Sequence, residues 1–324
     1  MQAAEPKAVD MRWFFAVLGR YGTLVLFVSV FAGLLLPHLA SLLRPLLPPG
    51  VAAILVLGLL RIDWASMVAY ARRPLLVGLV VAWLMVAAPI AVWAVFKLFA
   101  LPDALEIAVV LMACAPPILG SIAIALLLGL DAPLTIVCGL ISTLLTPITV
   151  PPLALELLGL QLDVSTLEFM LRLAALVLCS FLAAALIRRW LGKERLAGWG
   201  TEINGSIVLV MALLAIAIMD GVSATIGERP ETVLLWLIAA YCANLLLQAA
   251  GTVCFLYLGL RRALTVGLMS GNCNMMLILA TLPPDTDFDV VLFFALAQFP
   301  MYTLPALVHP IYRRLLARET CESS

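Results

Sequence analysis

Charge is what this chain has least of. Only 12% of its 324 residues are charged, and 19 Lys+Arg against 19 Asp+Glu leave no net charge. A soluble domain is about a quarter charged, so the composition argues against one, and the balance removes any global case for nucleic acid. Histidine is nearly absent: His38 and His309, both beside expected helix ends, leave little for a metal centre or a Ser-His relay. The seven cysteines (Cys114, Cys138, Cys179, Cys242, Cys254, Cys273 and Cys321) form no CxxC or CxxxC pair. They read as small hydrophobes, not as disulfides or a zinc site. No small-residue cleavage site follows the first apolar run, so the first helix is expected to be retained.

What is abundant is apolar length. Hydrophobic residues make up 65% of the chain and the mean hydropathy is +1.15. About 20 apolar residues cross a bilayer. Turn residues and charges cut the chain into ten spans near 17–38, 46–61, 74–100, 104–129, 133–157, 165–190, 202–221, 231–258, 262–282 and 288–312. With both ends cytoplasmic, fifteen Lys/Arg fall inside and only Arg44, Lys97, Arg172 and Arg229 outside. This is the positive-inside bias of a multi-pass protein in a bacterial-type inner membrane. The expected organisation is a tail at 1–16, one half at 17–157, a second at 165–312 and a tail at 313–324.

The halves resemble each other. CAPPILGS is followed by LLTPITVPP, and GNCNMM by AQFPMYTLP. Pro147 lies 30 residues after Pro117, and Pro300 lies 26 after Asn274, each with a second proline five residues on. Two halves of five spans must lie in opposite orientations, the inverted-repeat plan of secondary transporters.

Each half carries a break. Pro116 and Pro117 withhold N–H donors and bar the preceding residue from the α region. Gly271, Asn272 and Asn274 are expected to use left-handed freedom to open span nine. Opened backbone survives in a membrane only when buried in protein or lining a cavity. The freed helix ends can hold a cation at carbonyls or an anion at N–H groups. Gly271, Asn272, Asn274, Pro117, Ser121 and Gln298 are the candidate substrate contacts, and Asn244 and Gln248 read equally as packing glue between helices. No Asp, Glu, Lys or Arg lies at the centre of a span, which weakens the case for proton coupling. An intramembrane enzyme would need a nucleophile with a base or a metal cluster, and none is visible.

The APP break, the LLLGLD turn, STLLTPITVPP, the broken ninth span and FFALAQFP together resemble the bile acid:sodium symporter family. The resemblance implies an all-α fold of two inverted five-helix repeats whose helices 4 and 9 are discontinuous and cross. It also implies a panel of spans 1, 2, 6 and 7, a core of the other six, and organic anions bound between them under alternating access. The partners implied are the lipid bilayer and a small organic anion, with no protein or nucleic acid.

Sodium-coupled relatives use a Ser-Asn pair after the first break, hydroxyls on helix 5, a glutamate on helix 9 and a glutamine on helix 3. Here those places hold Ser121 with Ile122, Thr135 with Gly139, Met269 and Leu84. Ser121, Thr135, Ser270 and Asn272 are what remains of an ion site, and sodium, the one ion expected from the resemblance, should be absent or weakly held. No other cofactor is expected. The sequence leaves open a metalloid efflux carrier using Cys114, as in related arsenite carriers, and a non-transporting receptor on the same fold.

Overall fold

The computed structural model describes residues 11–62, 70, 72–99, 102–159, 165–283 and 286–322. Among them the regular elements are helices, joined at one place by an isolated bridge. In chain order they are α1 (Met11–Arg20), α2 (Gly22–Leu35), α3 (Pro37–Leu43), α4 (Leu47–Leu60), α5 (Pro74–Ala82) and α6 (Ala88–Leu98). Then follow α7 (Asp103–Cys114), α8 (Ser121–Leu127), α9 (Ala132–Leu158), α10 (Thr166–Gly198), α11 (Gly200–Ala217) and α12 (Val222–Glu228). The last five are α13 (Pro230–Cys254), α14 (Leu260–Gly271), α15 (Met275–Leu279), α16 (Phe288–Leu296) and α17 (Gln298–Glu322). A 3-10 turn joins α3 to α4, and a π-helical turn, Trp83–Ala87, joins α5 to α6.

Seven helical segments among the described residues are long and apolar enough to cross a membrane. An eighth candidate is Met11–Arg20 with Leu24–Leu35, bent by 87°. The first expected span therefore differs: the chain is already helical at Met11, the first described residue, then bends, and the helix stops at Leu35. Pro37 then takes the first position of a new helix, where its missing N–H costs nothing, so the second expected span starts at Pro37 instead of 46. Span 165–190 runs on as α10 to Gly198, with Gly192 (φ 75°) interrupting it. Span 202–221 is divided by Gly221 (φ 81°) into α11 and α12.

The two expected breaks are present. Between α7 and α8, Ala115 is extended (φ −69°, ψ 141°), the conformation the ring of Pro116 imposes on its neighbour. Between α14 and α15 the cause differs from the expected one. Asn272 and Asn274 stay at φ −95° and −83°, and Gly271 is not among the positive-φ glycines. Gly271 is needed for space: a Cβ there would lie 2.5 Å from Gln248 Cγ and 2.7 Å from the Asn244 carbonyl oxygen. The spaced prolines also act unequally. Pro147, Pro151 and Pro152 lie within unbroken α9, whereas Pro300 lies in the first turn of α17, just after an interruption at Ala297.

The chain divides into two compact units. Unit 1, Met1–Ile62 with Ser180–Asp220, packs α1 to α4 around α11. Contact there is close enough that a Cβ on Gly33 would meet the Ile216 carbonyl at 2.8 Å. Arg188 Nη1 donates to the carbonyls of Leu59, Leu60 and Ile62, placing a cation at the C-terminal end of α4. Unit 2, Asp63–Cys179 with Gly221–Ser324, holds both breaks. Its largest helix contact is α13 on α14, and Leu111, Met112, Phe293 and Phe294 are fully buried within it.

Candidate functional site

The two breaks meet. Ile118 N donates to Asn272 O at 2.9 Å and Asn274 N to Pro116 O at 2.7 Å, so Pro117 and Cys273 face each other as an antiparallel bridge. Proline cannot donate, yet here it need not, because its neighbours on both sides supply the ladder. Four bare backbone groups in apolar surroundings are thereby satisfied, which is the condition for opened backbone at membrane depth.

Asn274 is half-buried and caps α15, its Oδ1 accepting from Leu277 N at 3.3 Å. Its side-chain nitrogen has no partner among the described residues. Asn272 is 1% exposed; its Nδ2 donates to Leu268 O in its own helix at 3.0 Å, while its Oδ1 is buried without a protein partner among the described residues. Ser121, fully buried at the start of α8, likewise has an unpartnered hydroxyl. Pro117, Ser121, Gly271, Asn272 and Asn274 therefore belong to one crossover. The helices that follow the breaks, α8 and α15, have only seven and five residues, too short to sum a full macrodipole. The expected anion-holding helix ends are weak, and the side-chain amide of Asn274 is the better donor.

Ser270 joins the site through a residue the sequence did not flag: Trp83 Nε1 donates to Ser270 Oγ at 2.9 Å, and that hydroxyl donates to Val266 O at 2.8 Å. Trp83 opens the π-helical turn, an irregularity common at functional sites. Thr135 lies elsewhere, its hydroxyl donating to Asp131 O at the start of α9. Gln298 opens α17 and gives its Nε2 to Phe294 O at 3.1 Å, leaving Oε1 buried without a partner among the described residues. No described hydrogen bond ties Gln298 to the crossover. Asn244 and Gln248, undecided in sequence, are both buried and reach it: Asn244 Nδ2 donates to Gly271 O at 2.7 Å.

A second polar cluster gathers at the turn before α9. Asp131 caps α9 through Leu134 N at 3.1 Å, receives the Tyr70 hydroxyl, and lies 3.8 Å from Arg262 Nε. Thr265 Oγ1 accepts from Asp131 N at 3.0 Å, tying this turn to α14. Burial, then the hydrogen bond and charge of Asp131, push the Tyr70 hydroxyl up to about 12. A phenol that ionises at about 10 when unfolded and about 12 when folded adds stability that is full below pH 10. That stability is lost as pH rises through about 12. Tyr70→Phe should lower the unfolding temperature at neutral pH, and its gap from the parent protein should close towards pH 12 in a thermal melt series.

With this geometry in place, residues 48–227 match the model of the Sodium Bile acid symporter family. The match covers more than half of the chain and includes the first break. The chain belongs to the sodium bile acid symporter family. No curated protein matches it. Sodium bile acid symporter family proteins are transporters and not enzymes, and this member has the several apolar helices of a multi-pass membrane protein. The match ends before Gly271, so the second break rests on the structure.

Proposed function

We propose that this protein carries small organic anions, bile-acid-like or other carboxylates, across the membrane by alternating access. The crossover carries the reading: two interrupted helices bonded through their backbones, beside an asparagine amide free to donate to a carboxylate. Counting the pairs α7/α8 and α14/α15 as interrupted spans, with the bent first span and the seven segments long enough to cross, brings the total to ten. The breaks then take the fourth and ninth places, which supports two inverted repeats.

The charges support the orientation. Each of the four cations assigned to the outer side has a carboxylate partner: Arg44 with Asp220 at 2.9 Å, Lys97 with Glu106 at 2.7 Å, Arg172 with Glu168 at 2.6 Å and Arg229 with Asp289 at 3.3 Å. The orientation itself rests on the Lys/Arg count, fifteen on the cytoplasmic side against these four, which carboxylate partners change little. Unit 1 takes in spans 1, 2 and 7 with the second half of 6, the segments expected of the panel, and unit 2 the core.

The transport is proposed to run without the family's two-sodium coupling. Met269 and Leu84, both buried, stand where the resemblance implies the sodium ligands glutamate and glutamine. A thioether and an isobutyl group offer a hard cation no oxygen. The buried oxygens of Ser121 and Asn272 are neutral, so they cannot replace the missing charge. Uptake into proteoliposomes, tested with bile acids and short keto acids, should proceed at the same rate when choline replaces sodium. Steep sodium dependence that vanishes in Ser121→Ala with Thr135→Ala would overturn this reading.

A further inference from the structure

A helix that ends inside a membrane protein leaves carbonyls that need donors. At the end of α14 the donors can be named. Leu268 O accepts from the backbone and side-chain nitrogens of Asn272, both at 3.0 Å; Ser270 O accepts from Cys273 Sγ at 3.1 Å, and Asn272 O from Ile118 N at 2.9 Å. These donors all lie in the crossover. The donor to Gly271 O does not: it is Asn244 Nδ2, from the middle of α13.

Asn244 is held from behind. Its Oδ1 accepts from Gln248 Nε2 at 2.6 Å, and Gln248 Oε1 accepts from the Tyr312 hydroxyl at 3.3 Å. All three side chains are buried. The chain of bonds fixes which end of the Asn244 amide faces Gly271, since its oxygen already has a donor. The glycines on these helices permit the approach: a Cβ on Gly251 would lie 2.4 Å from Ser270 Oγ, and one on Gly267 2.5 Å from Gln248 O.

We propose that Asn244 is a positioning residue that stands in for a bound cation. Its N–H, oriented by Gln248 and Tyr312, supplies positive polarity at the carbonyl end of α14, so the crossover keeps its shape with no ion. A covalently attached amide cannot leave with the cargo, so the device holds geometry without coupling it to an ion gradient. This rests on the proposed sodium-independent carrier, but its test needs no substrate.

Thermal unfolding of the purified full chain in detergent should be compared in sodium, potassium and choline chloride at equal ionic strength. The parent protein should melt at one temperature in all three. Asn244→Ala should melt lower by at least about 2 °C in every salt, having lost a buried donor. Asn244→Asp should need no sodium at about pH 6, where a protonated carboxyl still donates. Near about pH 9 it should regain lost stability saturably with sodium, since a carboxylate beside a carbonyl makes an oxygen site for a hard cation. Tyr312→Phe, a milder change, should also melt lower in all three salts.

Saturable sodium stabilisation of the parent protein would overturn the inference even if no variant folds, and would leave anion transport standing. An aspartate variant equally stable in sodium and choline at both pH values would overturn it too. A parent protein indifferent to sodium that moves no carboxylate in the flux assay would sink the transport reading and leave this inference intact.

Discussion

Replacing Asn274 by alanine should cut carboxylate uptake by about tenfold or more while leaving the protein folded. The two effects separate because the residue's bonds divide between backbone and side chain. The bond that joins the breaks runs from Asn274 N to Pro116 O, and alanine keeps it. What is lost on the folding side is the cap from Oδ1 to Leu277 N, long at 3.3 Å and worth about 1 kcal/mol. On the transport side the loss is an amide N–H with no partner among the described residues, the donor proposed for the anion. A hydrogen bond to a charged group contributes about 1.5–3 kcal/mol, so uptake should fall by about tenfold or more. Uptake and melting temperature measured on the same preparation decide it. Normal uptake would remove Asn274 from the substrate, and a collapsed melt would make it only a structural residue.

Gly271→Ala should cost more. The added Cβ would lie 2.5 Å from Gln248 Cγ, 2.7 Å from Asn244 O and 2.9 Å from Asn244 Oδ1. A side-chain atom can rotate away, but a backbone carbonyl moves only with its helix. Overpacking of this kind costs about 1–3 kcal/mol, and it also displaces the amide that donates to Gly271 O. A lower melting temperature and loss of uptake are expected together. Gly78→Ala is the control, since nothing lies within 4 Å of a Cβ there, and it should be neutral for both. Adding Gln248→Ala to Gly271→Ala should not rescue it, because the Asn244 carbonyl remains in the way. Rescue would show that the clash with Gln248 alone matters.

The helical character and both breaks were legible in the order of residues, because their causes are covalent or local. Long apolar runs with charges at their ends have one economical structure in lipid. Pro116 and Pro117 interrupt a helix whatever surrounds them. The start of the second long span was less legible: Pro37 reads equally as the last residue of one helix or the first of the next. Gly271 was picked out for the wrong reason, since a sequence cannot distinguish a glycine needed for φ from one needed for room.

The candidate contacts divide in the same way. Pro117, Ser121, Gly271, Asn272 and Asn274 follow the breaks and were found with them, and Ser270 is adjacent. Thr135 rests on the resemblance as a remnant ion ligand and Gln298 on being a polar residue within a span; neither ground fixes a direction, and their hydrogen bonds go to their own chain segments. Asn244 and Gln248 carried a usable signal, two amides one turn apart on an apolar helix, but not their destination. Trp83, Tyr70 and Tyr312 carried none.

The sequence by itself determined that this is a multi-pass helical membrane protein, with a broken span in each half and no charge at the centre of any span. Those properties follow from side-chain transfer energies and proline geometry, which act within one segment. Only the tertiary structure decided that the two interruptions bond to each other and that Asn244 serves the end of α14. Such pairings join residues more than a hundred positions apart, as Ile118 to Asn272, or on neighbouring helices. They exist only once packing has excluded water and left each buried donor and acceptor to find its partner within the protein.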